Sequence, residues 1–115
     1  MTKELEWLEQ FVTKYRTLRG NIAVAGRSIM KLRHDSNPRL GREHMLDKLH
    51  SYHDLLSKLE PMLEEFFYDA FINMVKPAAL MKKYRISRAS VYRWKHRIAV
   101  ILYVMEHPTL QKFAA

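Results

Sequence analysis

The chain has 115 residues, which suffices for one domain with a hydrophobic core, and 48% of them are hydrophobic, unlike a disordered tail. The absence of cysteine excludes disulfide scaffolds, thiolate zinc sites and cysteine nucleophiles, and three glycines are too few for a glycine-rich phosphate loop. The longest apolar run, residues 98–105, is too short to span a membrane, and no secretory signal is recognisable at the start. We therefore expect a protein of the cytoplasm that does not bind membranes.

The net charge of +8 is distributed unevenly along the chain. Residues 1–60 mix eleven basic with eight acidic side chains, whereas residues 76–97 contain eight basic side chains and no acidic one. Because nothing nearby offsets the repulsion within such a block, it is typical of a surface that binds a polyanion. Nucleic acid is the first expectation, ahead of an acidic membrane surface or an acidic protein.

Hydrophobic periodicity predicts helices throughout the first sixty residues. Thr2 caps a first helix, and Gly20-Asn21 is expected to end it. Residues 22–33 are ambiguous, with a short helix as one interpretation, and residues 34–41 form a predicted linker. A second helix is predicted over residues 42–60, and its seam fits either a packed bundle or a dimeric coiled coil. The apolar positions are Leu5, Leu8, Phe11, Val12, Tyr15 and Leu18 in the first helix, and Met45, Leu49, Tyr52, Leu56 and Leu59 in the second.

Pro61 is predicted to open a third helix, at a position where its missing N–H costs nothing. The apolar residues of this helix are numerous enough that we expect all of them to be deeply buried. They are Met62, Leu63, Phe66, Phe67, Ala70, Phe71 and Met74.

Two basic helices separated by a three-residue turn follow. Pro77 opens the first, over residues 77–84, and Ser87 is a good N-cap for a longer helix that begins at Arg88. A short helix, a tight turn with a buried aliphatic residue at Ile86 and a capped second helix are typical of a helix-turn-helix.

The second of these helices has two distinct faces at about 100° per residue. The inward face is predicted to hold Val91, Trp94, Ile98, Ile101, Leu102 and Met105, and the outward face Ala89, Tyr92, Arg93 and His96. Val100, Tyr103 and Val104 continue the outer side, so either the N-terminal helices or a second subunit must cover them.

Residues 79–98, and above all Ser-Arg-Ala-Ser-Val-Tyr-Arg-Trp at 87–94, resemble small phage transcriptional regulators of the RinA/ArpU type. Those proteins end in a helix-turn-helix like region 4 of primary sigma factors. Met81 and Arg85 depart from the pattern, which commonly has a small residue and a glycine at these places. The resemblance implies base-reading positions at Arg88, Ala89, Tyr92 and Arg93, to which His96 is added from the same face. The backbone-contacting candidates are Lys76, Lys82, Lys83, Arg85, Ser87, Ser90, Lys95 and Arg97.

Two other kinds of site were weighed against nucleic-acid binding. Asp47, His50 and Asp54 share a helix face with His44 and His53 nearby, but a solvated polar face has the same pattern as a metal site. Glu64, Glu65 and Asp69 contain a candidate acid/base pair, although a cluster of charges at a helix start is commoner. We expect no metal, no cofactor and no enzymatic activity.

The sequence thus predicts an all-α protein in which residues 1–60 support or dimerise a DNA-binding region at residues 61–115. The expected function is sequence-specific regulation of phage or prophage genes in a bacterial host, by a protein that binds double-stranded DNA as a homodimer. One alternative is a small terminase subunit that recognises a packaging site. Another is a module that binds RNA polymerase or a sigma factor.

Overall fold

The computed structural model of the protein describes residues 2–31 and 38–107, with side chains placed for residues 2–24 and 43–107. Within these ranges the chain is all-α, as predicted, and contains no strand. The helices are α1 (Lys3–Lys31), α2 (Pro38–Leu56), α3 (Pro61–Phe67), α4 (Pro77–Tyr84) and α5 (Arg88–Glu106). A π-helical turn, Tyr68–Ile72, continues α3 directly.

Helix α1 continues through Gly20 and Asn21, so the prediction that this pair ends the first helix is wrong. A glycine inside a helix costs about 1 kcal/mol relative to alanine, but it keeps its backbone donor and acceptor, so helical hydrogen bonding can continue. The ambiguous residues after it are therefore helical as far as Lys31, and residues 32 and 33 lie outside the described part.

Helix α2 begins at Pro38, four residues before the predicted start, and ends at Leu56. Residues 38–41 of the predicted linker are therefore helical, because a proline suits the first position of a helix, and residues 34–37 lie outside the described part. At the other end, Glu60 has extended geometry at φ −54° and ψ 143°. A residue before a proline disfavours the helical region, which separates α2 from α3.

The apolar residues of α2 pack against α1 of the same chain. Tyr52 meets Phe11 of α1 edge-on, with ring centroids 5.1 Å apart, and Leu55 and Leu56 are buried. Both halves of the chain contribute to a single core, whose buried members are Leu8, Phe11, Val12, Tyr15, Leu55, Leu56, Leu59, Leu63, Phe66, Phe67, Ala70, Leu80, Val91, Ile98, Ala99 and Leu102.

The prediction that every apolar residue of the third helix is deeply buried is wrong at three positions, because Phe71 is half-buried and two methionines are exposed. Met62 is 57% exposed and Met74 is 62% exposed, whereas Leu63, Phe66 and Phe67 are buried. Met74 follows the π turn and has a left-handed φ of 55°, so it no longer continues the buried helical face.

Candidate nucleic-acid interface

Helix α4 covers residues 77–84 and α5 begins at Arg88, as the sequence predicts. Arg85 ends α4 in the left-handed region, at φ 53° and ψ 50°. The N–H groups of Arg85 and Ile86 both donate to the carbonyl of Met81, so the last turn of α4 has backbone partners. A side chain with a Cβ adopts this conformation at a cost, which is why glycine is the usual residue there.

Ser87 caps α5 through its side chain. Its Oγ accepts a hydrogen bond from the Ser90 N–H at 3.1 Å and donates one to Ser90 Oγ at 3.0 Å. The cap satisfies a backbone donor that a helix start otherwise leaves unpaired. It also commits the Ser87 hydroxyl, a predicted DNA-backbone contact, to the local structure.

An aromatic cluster holds α3, α4 and α5 together. The ring of Phe66 lies 5.3 Å from those of Tyr84 and Trp94, and the last two are 5.8 Å apart. Leu80 of α4 and Val91 of α5 are fully buried. This packing sets the position of α5 relative to α4 and leaves the opposite side of α5 facing outward.

Ionic and hydrogen-bonded contacts also join the end of α4 to α3 and the π turn, and we call this group of Glu65, Asp69, Lys83 and Tyr84 the joint. Lys83 Nζ donates to Asp69 Oδ2 at 2.6 Å and lies 3.1 Å from Glu65 Oε1, and the Tyr84 hydroxyl also donates to Asp69 Oδ2 at 2.6 Å. The hydrogen bond from Lys83, then that from Tyr84, holds the pKa of Asp69 below its usual value. Burial, followed by the bond to Asp69, raises the pKa of Tyr84.

This joint changes the interpretation of two groups of residues. Glu65 and Asp69, which the sequence offers as acid/base candidates, bind a cation of the neighbouring helix. Lys83, predicted to contact the DNA backbone, has its ammonium group engaged by these carboxylates, so its first role is to hold α4 against α3.

The outward face of α5 carries the residues predicted for it. Ala89, Arg93 and His96 are exposed, and Tyr92 is 53% exposed. Arg88 begins the helix and is also exposed. On the other side Val91, Ile98 and Leu102 are fully buried, whereas Trp94, Ile101 and Met105 are half-buried. The predicted division of the helix into two faces is therefore confirmed.

Phe71 joins this surface, although the sequence assigns it to the core. Lys95 Nζ lies 5.8 Å from the ring centroids of both Phe71 and Tyr92, so the cation is placed against two aromatic rings. Phe71 lies in the π turn and is half-buried against the core, and apolar spacing alone does not distinguish it from its buried neighbours.

Most of the cations in residues 76–97 form no salt bridge with an acidic side chain that the structure describes. Among the described residues, only Lys83 and Arg97 of this block form salt bridges, the latter at 3.7 Å from Glu60. The other six are Lys76, Lys82, Arg85, Arg88, Arg93 and Lys95. Their positive charge remains available to an anionic ligand.

The far end of α5 is partly covered by α1 of the same chain. Trp7 meets the ring of Tyr103 edge-on at 6.1 Å, and His107 stacks on Tyr103 at 4.1 Å. Val100 remains 36% exposed. The sequence predicts that either the N-terminal helices or a second subunit covers the outer side of α5. At Tyr103 the N-terminal helix α1 does so.

The described residues do not assemble a metal site from the histidines and carboxylates of α2. No group of three or more suitable side chains comes together in that part of the chain. His53 Nε2 lies 2.9 Å from the hydroxyl of the buried Tyr15. Burial raises the pKa of the nearby Tyr68 to about 12, and the charge of Tyr15 is the second cause.

In the part of the chain that the structure describes, no helix has the length and apolar character that crossing a membrane requires.

Comparison of the chain with protein-family models, with curated proteins and with solved structures yields no match.

Proposed function

We propose that this protein binds double-stranded DNA in a sequence-specific manner and regulates transcription. The observation that carries the proposal is the outward face of α5, where Arg88, Tyr92 and Arg93 are exposed on a capped helix whose other face is buried. The acid-free block around them supplies the charge that attraction to a phosphate backbone requires.

The chemistry of this face suits the major groove of DNA. A guanidinium group can donate two parallel hydrogen bonds to the acceptors of guanine, and a tyrosine can bind a phosphate or contact a thymine methyl group. Helix α5 begins at the turn, so its first residues are the ones that a helix-turn-helix presents to base edges. Lys82 and Arg85 lie at the end of α4, where a phosphate contact would fix the orientation of α5.

The resemblance to RinA/ArpU-type regulators supports a role in the control of phage or prophage genes. A small terminase subunit would use a similar motif within an oligomeric ring, so a large assembly would favour that alternative. A module that binds RNA polymerase or a sigma factor would not need a duplex partner of its own. Tight, salt-sensitive binding to one short duplex in the absence of polymerase argues against the latter.

The first experiment is a selection of bound sequences from random duplex DNA, followed by binding measurements on the selected sequence at several salt concentrations. With about six phosphates neutralised per subunit by these six cations, log affinity should fall against log salt with a slope of about −5 per subunit. A slope near zero on every duplex would contradict the proposal.

Two substitutions separate base reading from backbone contact. Arg93→Ala should relax the preference at one base position by about 1–3 kcal/mol, whereas Lys82→Ala should weaken binding to all sequences alike. Affinities for the selected duplex and for a scrambled duplex provide the measurement. An equal loss on both duplexes for Arg93→Ala would show that this side chain does not read a base.

We further propose that the DNA-bound form is a homodimer, because helix-turn-helix regulators commonly read twofold sites with half-sites one helical turn apart. Of the three outer residues of α5 predicted at the contact, Val100 is the exposed one, whereas Tyr103 packs against Trp7. Val100→Asp should weaken the dimer and leave the monomer folded, as measured by sedimentation and circular dichroism. A wild-type protein that stays monomeric on DNA would refute the dimer.

A further inference from the structure

The basic residues of the first half of the chain are concentrated in the distal part of α1. From residue 10 to residue 34 there is no acidic side chain, whereas six are basic: Lys14, Arg16, Arg19, Arg27, Lys31 and Arg33. The acidic residues Glu4, Glu6 and Glu9 lie in the first turns of the helix. Residues 1–60 as a whole have a mixed composition, but residues 10–34 within them form a second block of positive charge without acidic residues.

The continuity of α1 through Gly20 aligns these residues. At about 100° per residue, Arg16, Arg19, Arg27 and Lys31 fall within an arc of about 120° on one side of the helix. A break at Gly20 would have separated the first two from the last two. We call these four positions the α1 basic stripe.

The described side chains of the stripe are available to a ligand. Arg16 and Arg19 are exposed, and neither forms a salt bridge with any residue that the structure describes. The Arg19 guanidinium lies 5.8 Å from the ring centroid of Tyr15, so the cation is placed against an aromatic ring.

Contacts along α1 give its direction relative to α5. Trp7 packs on Tyr103, near the end of α5, whereas Tyr15 packs on Tyr68 of the π turn. The same π turn contains Phe71, which Lys95 in the first half of α5 contacts. Helix α1 thus runs opposite to α5, and its last sixteen residues extend about 24 Å further toward the end where α5 begins.

We propose that the α1 basic stripe binds the phosphate backbone of the DNA that flanks the site read by α5. This inference rests on the proposed function and extends it with a second contact surface. The positions from Arg16 to Lys31 span about 22 Å, the length of about seven base pairs. The stripe supplies positive charge and no acidic residue, and contacts to phosphates carry no sequence information, so it adds affinity and length of contact and not base specificity.

The test compares three variants on two duplexes, one limited to the selected site and one extended by about ten base pairs on each side. Arg16→Gln/Arg19→Gln removes two charges from the stripe. Lys3→Gln/Lys58→Gln is the matched control, since both lysines are exposed and lie off the stripe. Arg88→Ala/Arg93→Ala impairs the outward face of α5. Circular dichroism checks that each variant is folded.

On the extended duplex, Arg16→Gln/Arg19→Gln should reduce the salt slope by about two relative to the control. Hydroxyl-radical footprinting should show wild-type protection of flanking sugars that this variant loses, with protection of the central site retained. The short duplex should show little difference between the variant and the control.

A salt slope and a footprint equal to those of the control on the extended duplex would overturn the role of the stripe. If Arg16→Gln/Arg19→Gln instead abolished binding to vesicles with anionic lipids and left DNA binding unchanged, the stripe would be a membrane contact and the proposal would be wrong. Failure of the proposed function is a separate result, because the wild-type protein would then bind neither duplex and Arg88→Ala/Arg93→Ala would change nothing.

Discussion

Arg85 combines two demands on one residue. Its backbone is left-handed at φ 53°, where the absence of a Cβ makes glycine cheaper, yet its side chain adds a positive charge beside the outward face of α5. Glycine is the residue that this backbone conformation favours. An arginine here is explained if its charge contributes to binding.

Arg85→Gly should therefore raise stability and weaken DNA binding at the same time. We expect a gain of about 0.5–1 kcal/mol in the free energy of unfolding, because the left-handed strain is relieved. The salt slope of DNA binding should become smaller by about one. Urea unfolding and anisotropy titrations provide the two measurements.

Lys82→Ala is the matched control for that variant, because it removes a charge from α4 without changing a left-handed residue. It should reduce the salt slope similarly but give no gain in stability. A loss of stability in Arg85→Gly would show that the arginine side chain stabilises the turn by more than its backbone strain costs.

At the scale of elements, α1 shows how a local signal is overridden. Gly20-Asn21 favours a helix end, but the apolar face on both sides of it keeps the same register, with Leu18 buried and Ile22 half-buried. Packing of that face on α2 supplies more stability than one glycine removes. A Cβ added at Gly20 would meet no atom within 4 Å.

Gly20→Ala should consequently stabilise the protein by about 0.5–1 kcal/mol, because alanine has the higher helix propensity and the site has room for its methyl group. Thermal unfolding followed by circular dichroism measures the change. Gln10→Ala, at another exposed position of α1, should have an effect near zero. Destabilisation by Gly20→Ala would indicate a left-handed helix end at Gly20 and contradict a continuous α1.

At the scale of the whole molecule, the joint of Asp69, Lys83 and Tyr84 connects the supporting helices to the candidate interface. Asp69 lies on the π turn, and its two partners end α4. Because this joint and the aromatic cluster of Phe66, Tyr84 and Trp94 set the position of α4, they also set which side chains of α5 face outward. Weakening the joint should therefore lower the stability of the fold, and DNA binding should weaken as a consequence.

The joint predicts a specific dependence of stability on pH. The pKa of Asp69 is lower in the folded than in the unfolded chain, so its contribution is present above the unfolded pKa of about 3.9 and is lost as the pH falls through the folded value. Asp69→Asn should destabilise the protein at pH 7, and the difference from wild type should shrink below about pH 4.

Unfolding in urea at a series of pH values measures this difference. Asp47→Asn removes an exposed carboxylate of α2 that forms no salt bridge among the described residues, and it should leave the pH profile unchanged. A constant difference between wild type and Asp69→Asn down to pH 2 would refute the role of the Asp69 carboxylate.

The local sequence determined the all-α class, the bounds of α4, the start of α5, the Ser87 cap and the two faces of α5. These features depend on interactions within a few residues, namely proline at a helix start, a hydroxyl that caps the backbone and apolar residues at helical spacing. Helical spacing gives the outward face, whereas the base-reading positions on it are what the resemblance implies, and their roles stay predictions until DNA binding is measured.

Only the tertiary structure decided what depends on residues far apart in the chain. It showed that α1 continues through Gly20, that Trp7 covers Tyr103, that Asp69 and Glu65 engage Lys83, and that Phe71 lies beside Lys95. In each case a residue that is distant in the sequence buries or pairs a side chain, and that contact decides the outcome over the local preference. A helical pattern gives the face on which a residue lies, but the identity of its partner depends on how the helices are arranged in space.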